Sequence, residues 1–383
     1  MTFPVRIYLD SPGGWVAFGS EQAGLPLPWG LNPEGPIVTY GSYFEALVRL
    51  LDQDRYRPLR SALSQLLGRS VTVSEIQELA VVSQKHGAFY HVAQVRVRIA
   101  ERYHSLVVNS AVGTARQTFL ASEYAVLQEL TRSFPHGFLP RVFFLGTSWC
   151  RSVEGSPFAL KCFLGEWFEG YHEFHLTRRG DADGISIKVW DAHPRNPLLK
   201  VEESRLLYRL ATLILTTYYD PRSFRQIYPW RHAAGDFIVM RRKTRLKVRL
   251  ITARGYFPLV TMAGADPSDR WIPLVHFFLN LSLHMRLDRL DGTGELAWAS
   301  ADSQQGVISG FLAGWRQKAT KDPELPQPAE VLEVLQRFTV DEWLAFAPLV
   351  LDNGFEEPEE LEFLESKLEE HATSLAAALG EVV

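Results

Sequence analysis

The clearest pattern in the chain is the alternation of apolar and polar positions in Phe89-Tyr90-His91-Val92-Ala93-Gln94-Val95-Arg96-Val97-Arg98-Ile99, which predicts a half-buried strand. Leu106 to Val112 reads as a second strand across a short polar turn. A period of about 3.6 residues then takes over from Arg116 to Ser133. Phe119, Leu120, Tyr124, Leu127 and Leu130 share one face of that predicted helix, and Pro135 and Gly137 end it. Arg141 to Gly146 and Phe158 to Leu164 are two further runs of strand length. From Glu202 to Tyr219, Leu206, Leu207, Leu210, Leu213 and Leu215 recur as on a buried helix, which stops before Asp220-Pro221. A hairpin follows, in which Asp236 to Met240 and Leu246 to Ile251 flank the basic turn Arg241-Arg242-Lys243-Thr244-Arg245. Helical patterns fill the remainder at Trp271 to Asp288, Val307 to Lys318, Ala329 to Phe338, Val340 to Leu351 and Leu361 to Leu379.

Ahead of the strands, the first forty residues are dense in Gly and Pro and predict irregular backbone. Two short amphipathic helices follow, carried by Phe44, Leu47, Val48, Leu50 and Leu51 and then by Leu59, Leu63, Leu66 and Leu67, and they end near Gly68. Strands and one helix thus come first and helices dominate later, which is an α+β arrangement with segregated parts. The expected organisation is an accessory cap over residues 1–70, a β-rich part with its exit segment over 71–170, a helical part over 171–350 and an acidic helical tail over 351–383.

Composition narrows the function classes. The 383 residues are 46 % apolar and 22 % charged, which excludes disorder, collagen and coiled coil. A formal charge of −4 leaves no global attraction to nucleic acid or membrane, so a charge-driven partner must act locally. Cys150 and Cys162 cannot form a disulfide framework and read as buried thiols. The start Met-Thr-Phe-Pro-Val-Arg-Ile lacks an apolar signal core and no stretch is long enough to span a bilayer, so a cytoplasmic location without membrane contact is expected.

The order of elements resembles the protein-kinase-like fold, in particular its aminoglycoside-phosphotransferase-like branch, over roughly residues 75 to 350. The resemblance implies a two-lobed protein with a small β-rich N-lobe and a larger helical C-lobe. Glu123 in Ser122-Glu123-Tyr124 matches the helix glutamate that pairs with the catalytic lysine of such kinases. Glu166-Trp167-Phe168-Glu169-Gly170 resembles the hinge that binds adenine, which assigns Glu166 and Phe168 to the cofactor. Ala234-Gly235-Asp236-Phe237 is similar to the catalytic-loop sequence His-Gly-Asp-Phe, whose Asp accepts the substrate hydroxyl proton.

The departures concern the phosphate clamp. Asn109 stands where the phosphate-binding lysine belongs, Arg241 where the metal-binding Asn follows the catalytic Asp, and Thr252 where the magnesium aspartate ends its strand. A glycine-rich loop is also missing, with Gly87 alone marking the first hairpin. Lys85, Lys161 or Arg254 are the cations that could replace the lysine. Phosphoryl transfer depends on lysine and carboxylate-held magnesium, and losing one such donor costs on the order of 10²–10³ in rate.

The leading expectation is therefore a pseudokinase-like ligand-binding or regulatory protein, with Asp236 and Glu123 as the catalytic-position residues and Asn109, Lys161, Glu166, Phe168, Thr252 and Arg254 lining a cofactor site. The implied cofactor is ATP or another nucleotide in the interlobe cleft, while the loss of both ligands argues against magnesium. An atypical ATP-dependent phosphotransferase acting on a small hydroxylated substrate is the alternative, with a protein partner left open.

Other clusters have plainer readings. His172 and His175 lack a third ligand and read as part of a polar surface helix, so no metal is expected. His232 reads as a hydrogen-bonded structural histidine. Asp288 to Glu295 reads as a helix end with a glycine stop rather than a calcium loop. Arg231 to Arg254 holds eight Lys or Arg against Asp236 alone, and a nucleic acid or an acidic protein surface is a third possible partner. The favoured reading of this excess is a solvated hairpin paired with acids elsewhere, since Glu356 to Glu370 supplies eight glutamates.

Overall fold

The alternating runs of the first half become a seven-stranded sheet in the order β2-β1-β3-β4-β5-β7-β6. The computed structural model describes residues 3–11, 14–28, 37–86, 89–179, 184–190, 198–242, 245–261, 270–355 and 357–382, the side chains of Lys85 and His86 excepted. Gly87, Lys243 and Glu356 therefore lie outside the described residues. The chain divides into two units, Met1–Glu169 and Gly170–Val383. The fold is mixed α+β, with the main sheet in the first unit and most of the helix in the second.

The first unit runs β1 (Val5–Leu9), β2 (Val16–Ala17), α1 (Ser20–Ala23), α2 (Tyr40–Leu67), β3 (Ile76–His86), β4 (His91–Ile99), β5 (Arg102–Ala111), α3 (Thr114–Ser133), β6 (Val142–Arg151) and β7 (Pro157–Glu166). The expectation of irregular backbone before residue 40 is corrected at β1, which pairs in parallel with β3 from Val5↔Leu79 to Leu9↔Ser83. Five residues between prolines are too few for their alternation to outweigh the surrounding Gly and Pro. The two expected amphipathic helices are the halves of α2, separated by non-helical backbone at Gln53 to Tyr56. Thr39 caps the first half by accepting from the Ser42 N–H, and Gly68 closes the second at φ 66°, where glycine pays no Cβ penalty. Phe44, Leu47, Leu50, Leu51, Leu59 and Leu63 bury against one sheet face, made by Leu79, Val81, Val95, Val97, Leu106, Val108 and Leu164. Residues 40–67 thus belong to the core of the first unit rather than to a detached cap. Cross-strand pairing puts Gln94, Val107 and Gly165, and likewise Val92, Asn109 and Phe163, on the other face. Helix α3 covers one end of that face, with the Tyr124 ring 5.9 Å from Phe163.

The second unit runs β8 (Phe174–Arg178), β9 (Ile185–Val189), α4 (Val201–Tyr218), β10 (Arg225–Ile227), the single turn α5 (Ala233–Asp236), β11 (Phe237–Arg242), β12 (Arg245–Leu250), β13 (Tyr256–Pro258), α6 (Trp271–His284), β14 (Leu287–Arg289), β15 (Leu296–Trp298), α7 (Asp302–Lys321), α8 (Pro328–Arg337), α9 (Val340–Gly354), α10 (Pro358–Glu365) and α11 (Leu368–Gly380). Helices α4 and α7 run parallel and nearly touch, because Gly306, Gly310 and Gly314 meet α4. A Cβ at Gly310 would fall 2.2 Å from the Arg209 carbonyl oxygen. Such a contact admits no side chain. Two expectations are corrected here. His172 to His175 is not a surface helix but a bridge to Val239 leading into β8, and Asp288 lies in β14 rather than at a helix end. No helix among the described residues is long and apolar enough to cross a membrane.

Candidate functional site

Two regions, one in each unit, hold the residues singled out by sequence. In the second unit the segment from Tyr228 to Asp236 links β10 to β11 and passes through the left-handed turn at Gly235, φ 88°. This turn brings Asp236 inward, where it is 4 % exposed. Arg254 donates to both carboxylate oxygens, Nη2 to Oδ1 at 2.6 Å and Nη1 to Oδ2 at 3.1 Å, and the Arg231 N–H donates to Oδ2 at 2.9 Å. The in-register pair Phe237↔Leu250 brings the chain entering the hairpin and the chain leaving it side by side, and the Ile251 N–H donates to the Asp236 carbonyl. Asp236 and Arg254, both sequence candidates, are thus brought together as a fork-to-fork ion pair. Thr252, two residues past the end of β12, is also buried.

The loop is held from below as well. The Arg231 carbonyl accepts from His284 Nδ1 at 2.8 Å, and the His284 ring stacks on Phe355 at 4.0 Å. Burial pushes the His284 pKa down to about 4, so the imidazole is neutral with its proton on Nδ1. His232 lies 3.3 Å from Glu360 and 4.0 Å from Asp288, which also holds His175 at 3.3 Å and accepts from the Leu176 N–H at 2.7 Å. Burial pushes the Glu360 carboxyl up, but the His232 bond and the charges of His232, Arg231 and His284 bring it below its ordinary value. His232 is therefore structural. Among the described residues no group of three His, Cys, Asp or Glu is placed to hold a metal ion.

In the first unit Asn109 and Lys161 are half-buried on the face that α3 partly covers, opposite Phe163 and Ala111 respectively. Glu123 is 3 % exposed on α3, so it is not a solvated helix glutamate. Glu166 lies elsewhere: it pairs with Leu106 on the α2 side of the sheet and is gripped by Arg141, whose Nε donates to Oε2 at 2.9 Å. By strand parity the Glu166 and Asn109 side chains lie on opposite faces of the sheet. Phe168 is half-buried in the segment that closes the unit.

Residues that sequence reasoning missed lie on the same sheet face as Asn109, the open face, which ends at the exposed Glu169. Gln94 Nε2 donates to Ser105 Oγ at 3.2 Å, and Ser105 in turn donates to Glu169. Next to them the Arg96 guanidinium lies 4.9 Å from the Trp15 ring and 4.6 Å from the Tyr103 ring, a double cation–π contact. Their shared parity on β4 and β5 was the available signal.

Of these residues Asn109 and Thr252 carry no charge to offer a phosphate or a cation, and both oxygens of Asp236 are engaged by Arg254. No protein-family model matches the chain, and no curated protein does. Among solved structures, a microcompartment-associated aminopropanol kinase is similar over 82 % of this chain and 94 % of its own, at 11 % identity and a TM-score of 0.31. A likeness of that size says nothing about the activity or substrate of this chain.

Proposed function

We propose that this chain is a kinase-like protein that binds a small polar ligand, a nucleotide being the first candidate, and does not transfer a phosphoryl group. One observation carries the reading: both oxygens of Asp236, the residue in the base position, accept hydrogen bonds from Arg254 and the Arg231 N–H. A general base needs a lone pair aimed at the substrate hydroxyl within about 2.6–3.2 Å. A buried carboxylate committed to a guanidinium fork is a structural ion pair instead. The sequence supports the reading further, since the lysine and both metal ligands of the resembled family are replaced. The element order from β3 to β7, three strands, a helix and two strands, also suits the resemblance.

The surface available to a ligand is the sheet face at the exposed Glu169, behind which Ser105 and Gln94 are buried at 4 % and 5 % exposure. Thermal denaturation with ATP, with and without magnesium, tests the proposal alongside an ATP-turnover assay. Stabilisation by nucleotide that magnesium does not increase, with no turnover, is the expected result. Magnesium-dependent turnover that disappears in Asp236→Asn would establish the atypical phosphotransferase instead.

A further inference from the structure

The β11–β12 ribbon has two chemically opposite faces. Its register pairs Ile238 with Arg249, Met240 with Lys247 and Arg242 with Arg245, so these six side chains share one face. The other face carries Phe237, Val239, Val248 and Leu250, all buried. Arg241, on that buried face, is held by both oxygens of Glu203 at 2.7 Å. Arg242, Arg245 and Lys247 are exposed and have no acidic partner among the described residues. Two like charges directly opposite on paired strands work against the hairpin, so Arg242 facing Arg245 is a cost to folding.

Among the described residues, the acidic C-terminal segment does not relieve it. Glu357 pairs with Arg231 at 2.9 Å, Glu359 with Arg289 at 2.6 Å, Glu360 with His232 at 3.3 Å and Glu370 with Arg286 at 2.9 Å. The expected neutralisation of the hairpin by the tail is thereby corrected for the described residues: among them, the tail reaches Arg231 of the basic stretch and not the ribbon's outer face.

We propose that this outer face binds single-stranded nucleic acid through its phosphodiester backbone. Side chains two apart on one strand recur every ~6.8 Å, so Arg245, Lys247 and Arg249 form a row suited to a regularly spaced polyanion. Arginine forks match phosphate oxygens. Arg249 lies 5.7 Å from the Tyr171 ring, which adds the aromatic partner that base stacking uses and a carboxylate partner does not. The inference is independent of the ligand reading above, because it involves neither the open face nor Asp236.

Fluorescence anisotropy with labelled oligouridylate and oligothymidylate, titrated against salt, tests it. Four cations predict a slope of log K against log salt of about −2.8, from roughly −0.7 per phosphate contact on a single strand. The triple variant Arg242→Gln, Arg245→Gln, Lys247→Gln should bind at least about tenfold more weakly at low salt, with a slope near −0.7. Its melting temperature should not fall, since the substitutions remove repulsion. Arg222→Gln, which removes an exposed arginine paired with Asp322 and Glu324 in the same unit, should bind like the unaltered protein. Binding without salt dependence, a triple variant as tight as the parent, or equal loss in Arg222→Gln overturns the proposal. Displacement of the oligonucleotide by polyglutamate at equal charge also overturns it, and assigns the face to an acidic protein.

Discussion

The Asp236 loop and the open face of the sheet both gather polar side chains, and they differ in where the polar capacity goes. In the loop it is consumed internally: Asp236 meets Arg254 and the Arg231 N–H, the Arg231 carbonyl meets His284, and His232 meets Glu360. On the open face the connections are sparser, with Ser105 linking Gln94 to the exposed Glu169 and Arg96 held between rings rather than by an acid. The first arrangement is that of a structural brace. The second is a short polar chain that ends at an exposed carboxylate.

Removing one partner of the brace should show the largest effect. Arg254→Ala leaves Asp236 buried without its cation and should cost roughly 3–5 kcal/mol in chemical denaturation. Adding Asp236→Leu should recover much of that loss; a single variant of unchanged stability would mean that the loop does not depend on the pair. Acid should loosen the same half of the comparison. Burial holds His284 at a pKa of about 4, below the ordinary 6.5, so its contribution is full above pH 6.5 and is lost as pH falls from there through 4. About 3 kcal/mol should be lost over that window, read from denaturation midpoints and from hydrogen exchange that rises first in residues 228–236. The smallest effect belongs to the open face, where Glu169→Gln should change stability by less than about 1 kcal/mol. If the face binds ligand, that variant should shift the ligand-induced stabilisation by more than it shifts the melting temperature without ligand.

Much of this was readable beforehand, element by element. The periodicity of Phe119 to Leu130 and the alternation of Val92 to Ile99 gave α3 and β4, and the basic hairpin was visible as two strands around a turn. What failed did so for identifiable reasons. Strand β1 is short and flanked by proline, and β8 with its histidines is too brief for a period to register. Trp271 to Asp288 ran past its helix because the apolar run continues through Leu287 into β14. Among site residues, Asp236 and Arg254 were both named but in separate roles, and the grip of Arg141 on Glu166 was not foreseen.

By itself the sequence determined the local structure and the inventory of charge, because both depend on neighbours a few positions away along the chain. Periodicity, caps and turn residues act within one element, and the basic and acidic excesses are counts. Only the tertiary structure decided the pairings. The eight glutamates of the tail could have met the hairpin on composition alone, yet Glu360 found His232, and Glu370 found the buried Arg286. Which charges pair is set by long-range packing, since a Coulomb interaction is strong only where burial removes water from both partners. That same rule closed the Asp236 loop on itself and left the outer face of the ribbon with its charge unspent.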